Sequence, residues 1–324
     1  MMLFFGGIMK VLVTINSFQN HEDMFKNYDC DFIYRYQNSA TLDDIKDADI
    51  LLGCVDLNYL DNANNLKYIH WGMAGSDTIT NKIKDKNIVL TNSTGCYSLS
   101  IAENVLGMIM YFNKKFYKYV RNQDQHLYQK EGATTSIYES KVLILGCGSI
   151  GMTCAKMLND LGAEVTGIKR TMSQKPDFLK ALYTDEKLDE CLKDADVVIM
   201  SMPQNKQTIH MMNADKLSKL KDGAILINVG RGTAIDTDAL INELSKGRIF
   251  AGLDVYEKEP LDENSKLWDL KNCLVLPHVT GFDNMAYTRK LLRQLAVENL
   301  DAYLNHKQLK NIVDFNTGYK VSNT

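Results

Sequence analysis

The 324-residue chain has almost no excess charge of either sign: 37 lysines and arginines face 40 aspartates and glutamates, for a formal net charge of −3. No Lys/Arg-rich run compensates locally, which argues against nucleic acid or an anionic membrane as partner. Long hydrophobic runs are also missing. The apolar opening, Met1 to Ile8, has no basic residue ahead of it and no small-residue cleavage site behind it. It is far shorter than the roughly 18 to 20 residues of a membrane span, and it lacks the flanks of a signal core. Met9 is as good a natural start as Met1. The seven cysteines (Cys30, Cys54, Cys96, Cys147, Cys154, Cys191 and Cys273) form no CxxC pair. In a chain of this size an odd, scattered set is expected to be reduced thiols of a cytoplasmic protein. No His/Cys/Asp cluster has metal-ligand spacing, so no metal is expected.

What is present is an alternation of short apolar runs with helical patterns, the signature of parallel α/β architecture. Residues 10–15, 31–36, 49–55, 67–71 and 88–91 read as strands of a first layer, with helical segments such as 41–48 between them. Residues 98–130 read as one long helix opened by a Ser100-Ile101-Ala102-Glu103 capping box. The strand pattern restarts at 142–145 and continues at 164–168, 197–200, 224–228, 249–254 and 273–276, before a helix over 285–305. Val313-Asp314 in the tail has no partner left in the second sheet, so the tail is expected to return to the first domain and make it discontinuous. The expected fold class is therefore α/β, with two Rossmann-like doubly wound parallel-sheet domains and a cleft between them. One domain is discontinuous (1–97 plus 287–324, substrate) and the other binds dinucleotide (98–286).

Directly after the 142–145 strand stands Gly146-Cys147-Gly148-Ser149-Ile150-Gly151, followed by a helix. In that context the three glycines permit a tight turn, close approach of a pyrophosphate, and packing of helix on strand, while the helix N-terminus offers N–H groups to phosphate. An NAD site expects an acid at the end of the next strand, to hold the ribose 2′-hydroxyl. Here that end reads Lys169-Arg170-Thr171, and Glu164 lies at the wrong end. Two cations and a hydroxyl suit a 2′-phosphate, so NADP(H) is expected to be preferred, with NAD(H) possible. Four more segments fall where βα loops leave strand ends: Ser201-Met202-Pro203, Asn228 to Gly232, Asp254 to Pro260, and Leu276-Pro277-His278. Three of the four prolines, Pro203, Pro260 and Pro277, sit in them.

This ordered set, GxGxxG, NxGRG, DVxxxEP and PH, resembles the D-isomer-specific 2-hydroxyacid dehydrogenase family over nearly the whole chain, and glyoxylate/hydroxypyruvate reductases in particular. The resemblance implies a catalytic arginine at Arg231, a glutamate at Glu259 and a histidine at His278. It also implies a carboxylate-binding turn at Gly72-Met73-Ala74-Gly75-Ser76-Asp77, where Ala74 and Gly75 would present N–H groups. Substrate binding would thus fall to Ala74, Gly75, Arg231 and His278. The cofactor set would be Gly146, Gly148, Ser149, Ile150, Gly151, Lys169, Arg170, Thr171, Met202, Pro203 and Val229, with Asp254 at the nicotinamide amide. Reducing a 2-keto acid needs a hydride donor, a cation for the carboxylate and carbonyl, and a proton for the nascent alkoxide. Arg231 supplies a bidentate fork, His278 the proton, and Glu259 the charge that orients it.

Glu257, two residues earlier, is the alternative partner for His278. The histidines His21, His70, His126, His210 and His306 lack such context and default to structure or surface. Trp71, Met73, Tyr97 and Phe282 flank the motifs and are candidates to shape a side-chain pocket. The implied protein is a homodimer pairing through its nucleotide domain and acting on a small 2-keto or 2-hydroxy acid. A nucleotide-sensing corepressor or scaffold that keeps the fold is the alternative.

Overall fold

The structure is a computed structural model that describes residues 8–36, 39–315 and 319–320. The apolar leader therefore lies, except for Ile8, outside the described residues. The chain forms two compact units, one joining residues 1–97 with 283–324 and the other spanning 98–282.

The first unit carries five parallel strands: β1 (Met9–Val13), β2 (Cys30–Tyr34), β3 (Ile50–Leu52), β4 (Tyr68–Trp71) and β5 (Val89–Asn92), in the spatial order 2-1-3-4-5. Both faces are covered, so the strands are apolar on both sides rather than alternating. Val11, Val13 and Tyr68 face the Ala286–Leu304 helix through Leu292, Ala296 and Leu300, and Tyr68 stacks on Tyr303 with ring centroids 4.5 Å apart. Leu12, Ile69 and Trp71 point the other way, onto Ile45, Leu60, Ile79 and Ile83. Val313, buried in that second cluster, explains the return of the tail: Ile312 bridges Thr91, and Val313–Asp314 pairs with Tyr319–Lys320. The unit takes the chain back at Asp283, four residues before the position expected from sequence. Arg289 accounts for the difference, because its guanidinium donates to the carbonyls of Asp283 and Asn284 and ties them to the helix start.

The second unit has seven parallel strands: β6 (Lys141–Leu145), β7 (Glu164–Ile168), β8 (Ala181–Tyr183), β9 (Val197–Met200), β10 (Ile225–Asn228), β11 (Phe250–Leu253) and β12 (Cys273–Val275), in the order 12-11-10-9-6-7-8. The strand order reverses between β6 and β9, the switch point at which open sheets of this kind bind ligands. Register brings the carboxyl ends into one row: Leu145 pairs with Ile168 and Met200, Asn228 with Met200 and Leu253, and Leu253 with Val275. Every candidate loop of this unit leaves from that edge.

The long helix expected over 98–130 is two helices, Ser98–Asn113 and Phe116–Asp124, broken where Lys115 takes a φ of 57°. A continuous helix would give the Asn113 carbonyl to residue 117. Instead it accepts from Thr135 N, while Thr135 Oγ1 donates to Asn113 Oδ1 at 2.7 Å. The returning segment thus takes over the ladder. Nor does Ser100 cap the helix, which already starts at Ser98. Its buried hydroxyl donates to the Thr280 carbonyl at 2.9 Å. Among the described residues, no helix is long and apolar enough to cross a membrane.

Candidate active site

The glycine turn sits at the switch point. Gly146 has a φ of 96°, and a Cβ there would lie 2.9 Å from Met202 N in the neighbouring β9 loop. A Cβ on Gly151 would meet the Gly146 carbonyl at 2.1 Å, so the Ser149–Asp160 helix packs on the turn only because that position is bare. Gly148 differs. Nothing lies within 4 Å of where its Cβ would be, and it is the helix N-cap with no side chain bonding the first-turn N–H groups. An open cradle at a helix N-terminus fits a dinucleotide pyrophosphate. Ser149 is fixed by a 2.8 Å hydrogen bond to Ser98, and Ser201 Oγ closes the turn by donating to the Gly146 carbonyl at 2.8 Å.

One strand over, β7 ends at Ile168 and the chain continues through Lys169, half-buried, and Arg170 and Thr171, both exposed. Lys169 Nζ donates to Ser173 Oγ at 2.8 Å. Glu164 stands at the opposite end of β7 and is bound to Lys180. No acid of β7 reaches its carboxyl end.

After β10, the buried Asn228 side chain folds its own loop. Its Oδ1 accepts from Gly230 N at 3.1 Å and its Nδ2 donates to the Arg231 carbonyl at 2.9 Å. Arg231 Nη1 donates to the Gly230 carbonyl at 2.9 Å, and the side chain is half-buried. Met202 and Val229, at the ends of the adjacent strands, are buried, and Pro203 is half-buried beside them.

His278 and Glu259 meet. His278 Nδ1 donates to Glu259 Oε2 at 2.7 Å, and Glu259 Oε1 accepts from Tyr256 N at 3.0 Å, so both carboxylate oxygens are directed. Tyr256 in turn donates its hydroxyl to the Leu253 and Leu276 carbonyls, tying the two strand-end loops together. His278 holds a φ of 51°, a left-handed conformation costly for any residue but glycine. Asp254, only 1% exposed, holds it there: its carboxylate accepts from Val279 N at 2.7 Å, from Thr280 N and from the Thr280 hydroxyl. The same carboxylate, at the end of β11, is thereby held in a fixed orientation.

The alternative partner, Glu257, is engaged elsewhere, accepting from His210 Nε2 at 2.5 Å and from Thr237 N at 3.0 Å. That hydrogen bond holds the His210 imidazolium above the ordinary histidine range. Glu257→Gln is therefore expected to bring the His210 titration midpoint, followed by NMR, down toward an ordinary histidine, while kcat stays within about threefold. Glu259→Gln is expected to lower kcat and leave His210 where it is. The reverse pattern would reassign the pair.

In the first unit, Ala74 and Gly75 lie half-buried between β4 and the Asp77–Ile83 helix, and their N–H groups meet no acceptor among the described residues. Of the flanking aromatics and Met, Met73 and Phe282 are exposed, Trp71 is in the core, and Tyr97 donates to the Gly72 carbonyl at 2.5 Å. His70 is fully buried against Thr91 Oγ1, and burial pushes its imidazole down to about 3. Its structural role is the one expected.

Comparison with known proteins gives the family. Residues 106–280 match the profile of the D-isomer specific 2-hydroxyacid dehydrogenase, NAD binding domain. The chain is 33% identical over 281 residues to a probable 2-ketogluconate reductase of Dictyostelium discoideum, covering 83% of each. It is 30% identical over 271 residues to glyoxylate/hydroxypyruvate reductase B of Pectobacterium atrosepticum, covering 81% of this chain and 83% of the relative. The chain belongs to the D-isomer specific 2-hydroxyacid dehydrogenase family.

Among solved structures, a dehydrogenase of this family from Xanthobacter autotrophicus, crystallised with NADPH and MES, is similar with a TM-score of 0.81 and 26% identity over 96% of this chain and 99% of that one. This D-2-hydroxyacid dehydrogenase is thus an oxidoreductase that transfers hydride between a nicotinamide dinucleotide and a small 2-keto acid, and the corepressor alternative is not favoured. Nothing in its sequence marks the roles of Tyr256 and Thr280, or the pairing of His210 with Glu257. These roles consist of contacts to distant parts of the chain, for which a local pattern carries no signal.

Proposed function

We propose that the dehydrogenase reduces a small 2-keto acid to the D-2-hydroxy acid with NADPH, using Arg231, His278 and Glu259. The observation that carries this reading is the 2.7 Å pairing of His278 Nδ1 with Glu259. It commits one ring nitrogen to a carboxylate and leaves Nε2, on a half-exposed imidazole, to give a proton to the substrate oxygen as it becomes an alkoxide. Glu259 fixes the ring, and Arg231 takes the carboxylate and carbonyl oxygens with its planar fork. In the first unit, Ala74 and Gly75 offer N–H groups suited to a substrate carboxylate. Bound dinucleotide supplies the hydride. The Gly146 to Gly151 turn would hold its pyrophosphate, with Met202, Pro203 and Val229 along the adjoining strand ends.

NADPH is favoured because no acid stands where it would accept the ribose 2′-hydroxyl and repel a 2′-phosphate, and because Lys169, Arg170 and Thr171 stand there instead. The NADPH complex of the Xanthobacter relative supports the same choice. A single well-placed charge-assisted contact, about 1.5 kcal/mol, favours NADPH by roughly tenfold. The test is kcat/KM for NADPH and NADH across a panel of glyoxylate, hydroxypyruvate and pyruvate, in wild type and Lys169→Asp. Wild type is expected to prefer NADPH, and the variant to move toward NADH. A wild type preferring NADH, or a variant whose preference stays put, would leave the basic cluster a solvated turn.

Pairing through the nucleotide unit is supported by apolar side chains left exposed along the second helix and the segment after it, among them Phe116, Val120, Leu127 and Tyr138. All seven cysteines are free, which supports a reducing compartment.

A further inference from the structure

The Gly72 to Asp77 turn is held from behind by a single short segment. Four consecutive carbonyls accept from residues 92–97: Trp71 O from Ser93 Oγ at 3.0 Å, Gly72 O from the Tyr97 hydroxyl at 2.5 Å, Met73 O from Ser93 N at 3.0 Å, and Ala74 O from Asn92 Nδ2 at 3.0 Å. A trans peptide sets its carbonyl and the following N–H in opposite directions. Fixing the Met73 and Ala74 carbonyls on one side therefore turns the Ala74 and Gly75 N–H groups to the other. These are the two donors that meet no acceptor among the described residues.

Asn92 is the side chain on which the last of these peptides depends. It is fully buried at the end of β5. Its Nδ2 also reaches Ser76 Oγ at 3.2 Å, and its Oδ1 accepts from Thr94 N at 3.2 Å. Its backbone is anchored by the tail: Asn92 N donates to the Asn311 carbonyl, and Asn311 Nδ2 donates to the Asn92 and Thr94 carbonyls. A buried amide whose donors and acceptor are all engaged has no rotational freedom, and neither does the peptide it holds.

We infer that Asn92 is a positioning residue for substrate recognition: by holding the Ala74 carbonyl it aims the Gly75 N–H at the carboxylate of the 2-keto acid. This rests on reading residues 72–77 as the carboxylate seat. The donor serves the charge of the substrate, so its loss should be felt by an acid and not by a neutral analogue.

The experiment compares kcat/KM for pyruvate and for its methyl ester, with saturating NADPH, in the full-length wild type and in Asn92→Ser. Asn92→Ala is a second variant that adds no polar group. The ratio of the two values on one sample does not depend on how much of it is folded. The acid-to-ester ratio is expected to fall about ten- to a hundredfold in both variants, the loss of one hydrogen bond to a charged group, with NADPH affinity unchanged. A wild type that does not distinguish acid from ester would remove the carboxylate seat, and the role of Asn92 with it. A wild type that distinguishes them, alongside variants that do so within about threefold as well, would overturn the role of Asn92 alone.

Discussion

His278→Ala is expected to lower kcat for keto-acid reduction by about 10²- to 10⁴-fold, the scale on which a positioned general acid acts, while the dissociation constant for NADPH changes little. The nucleotide cradle and His278 leave from different strands, β6 and β12, so removing the imidazole leaves the turn at Gly146 untouched. The strain in the histidine backbone has a further bearing. Alanine at a φ near 51° gains nothing from the Glu259 pair that helps hold the native residue, so His278→Asn, which tolerates left-handed backbone better, is the control for local collapse. Stopped-flow measurement of the reduction step under conditions where chemistry limits turnover would decide the matter. A variant keeping more than about a third of the wild-type rate would sink the assignment.

Arg231→Lys is the second large effect, despite its conservative appearance. The guanidinium already gives Nη1 to the Gly230 carbonyl at 2.9 Å, which orients its plane. A lysine ammonium keeps the charge but cannot both make that bond and present a planar fork. Losing one charge-assisted bond in a bidentate pair is worth about 1.5–3 kcal/mol, so kcat/KM should fall by roughly ten- to a hundredfold or more. Both KM and kcat should move, because the proposed role gives the carboxylate and the carbonyl to the same group. Wild-type kinetics in this variant would make Arg231 a structural loop residue.

Much of this protein was legible from sequence because the signals are local. A β-strand followed by a three-glycine turn and a helix names its own geometry, and the row of strand ends follows once the strands are placed. The return of the tail to the first unit, where Val313 is buried, needed only the pattern of apolar runs and a process of elimination, whereas the spatial order 2-1-3-4-5 depends on pairings that no local run encodes. What could not be read is set by partners far along the chain. The break after Asn113 is made by Thr135, which takes the carbonyl a helix would have used. The choice between Glu257 and Glu259 is made by His210, held in a loop 47 residues before Glu257. The hold of Asp254 on Val279 and Thr280 joins residues 25 and 26 positions apart, and no local spacing announces it. The Asn92 amide is invisible for the same reason: two of its three partners are the Ala74 carbonyl and the Thr94 N–H, backbone groups that carry no sequence signal.

The spatial order 12-11-10-9-6-7-8 places the loop after β7 and the loop after β12 five strands apart, roughly 24 Å at a spacing of about 4.8 Å per strand. Groups so far apart, with no shared partner, contribute independently. If the proposed roles hold, selection acting on Lys169 to Thr171 could exchange one nucleotide pool for another without detuning proton delivery at His278, and drift around Glu259 would leave nucleotide choice alone. The sheet behaves as a rack with two separate dials, and a lineage built on it can change its redox currency and its substrate at different times.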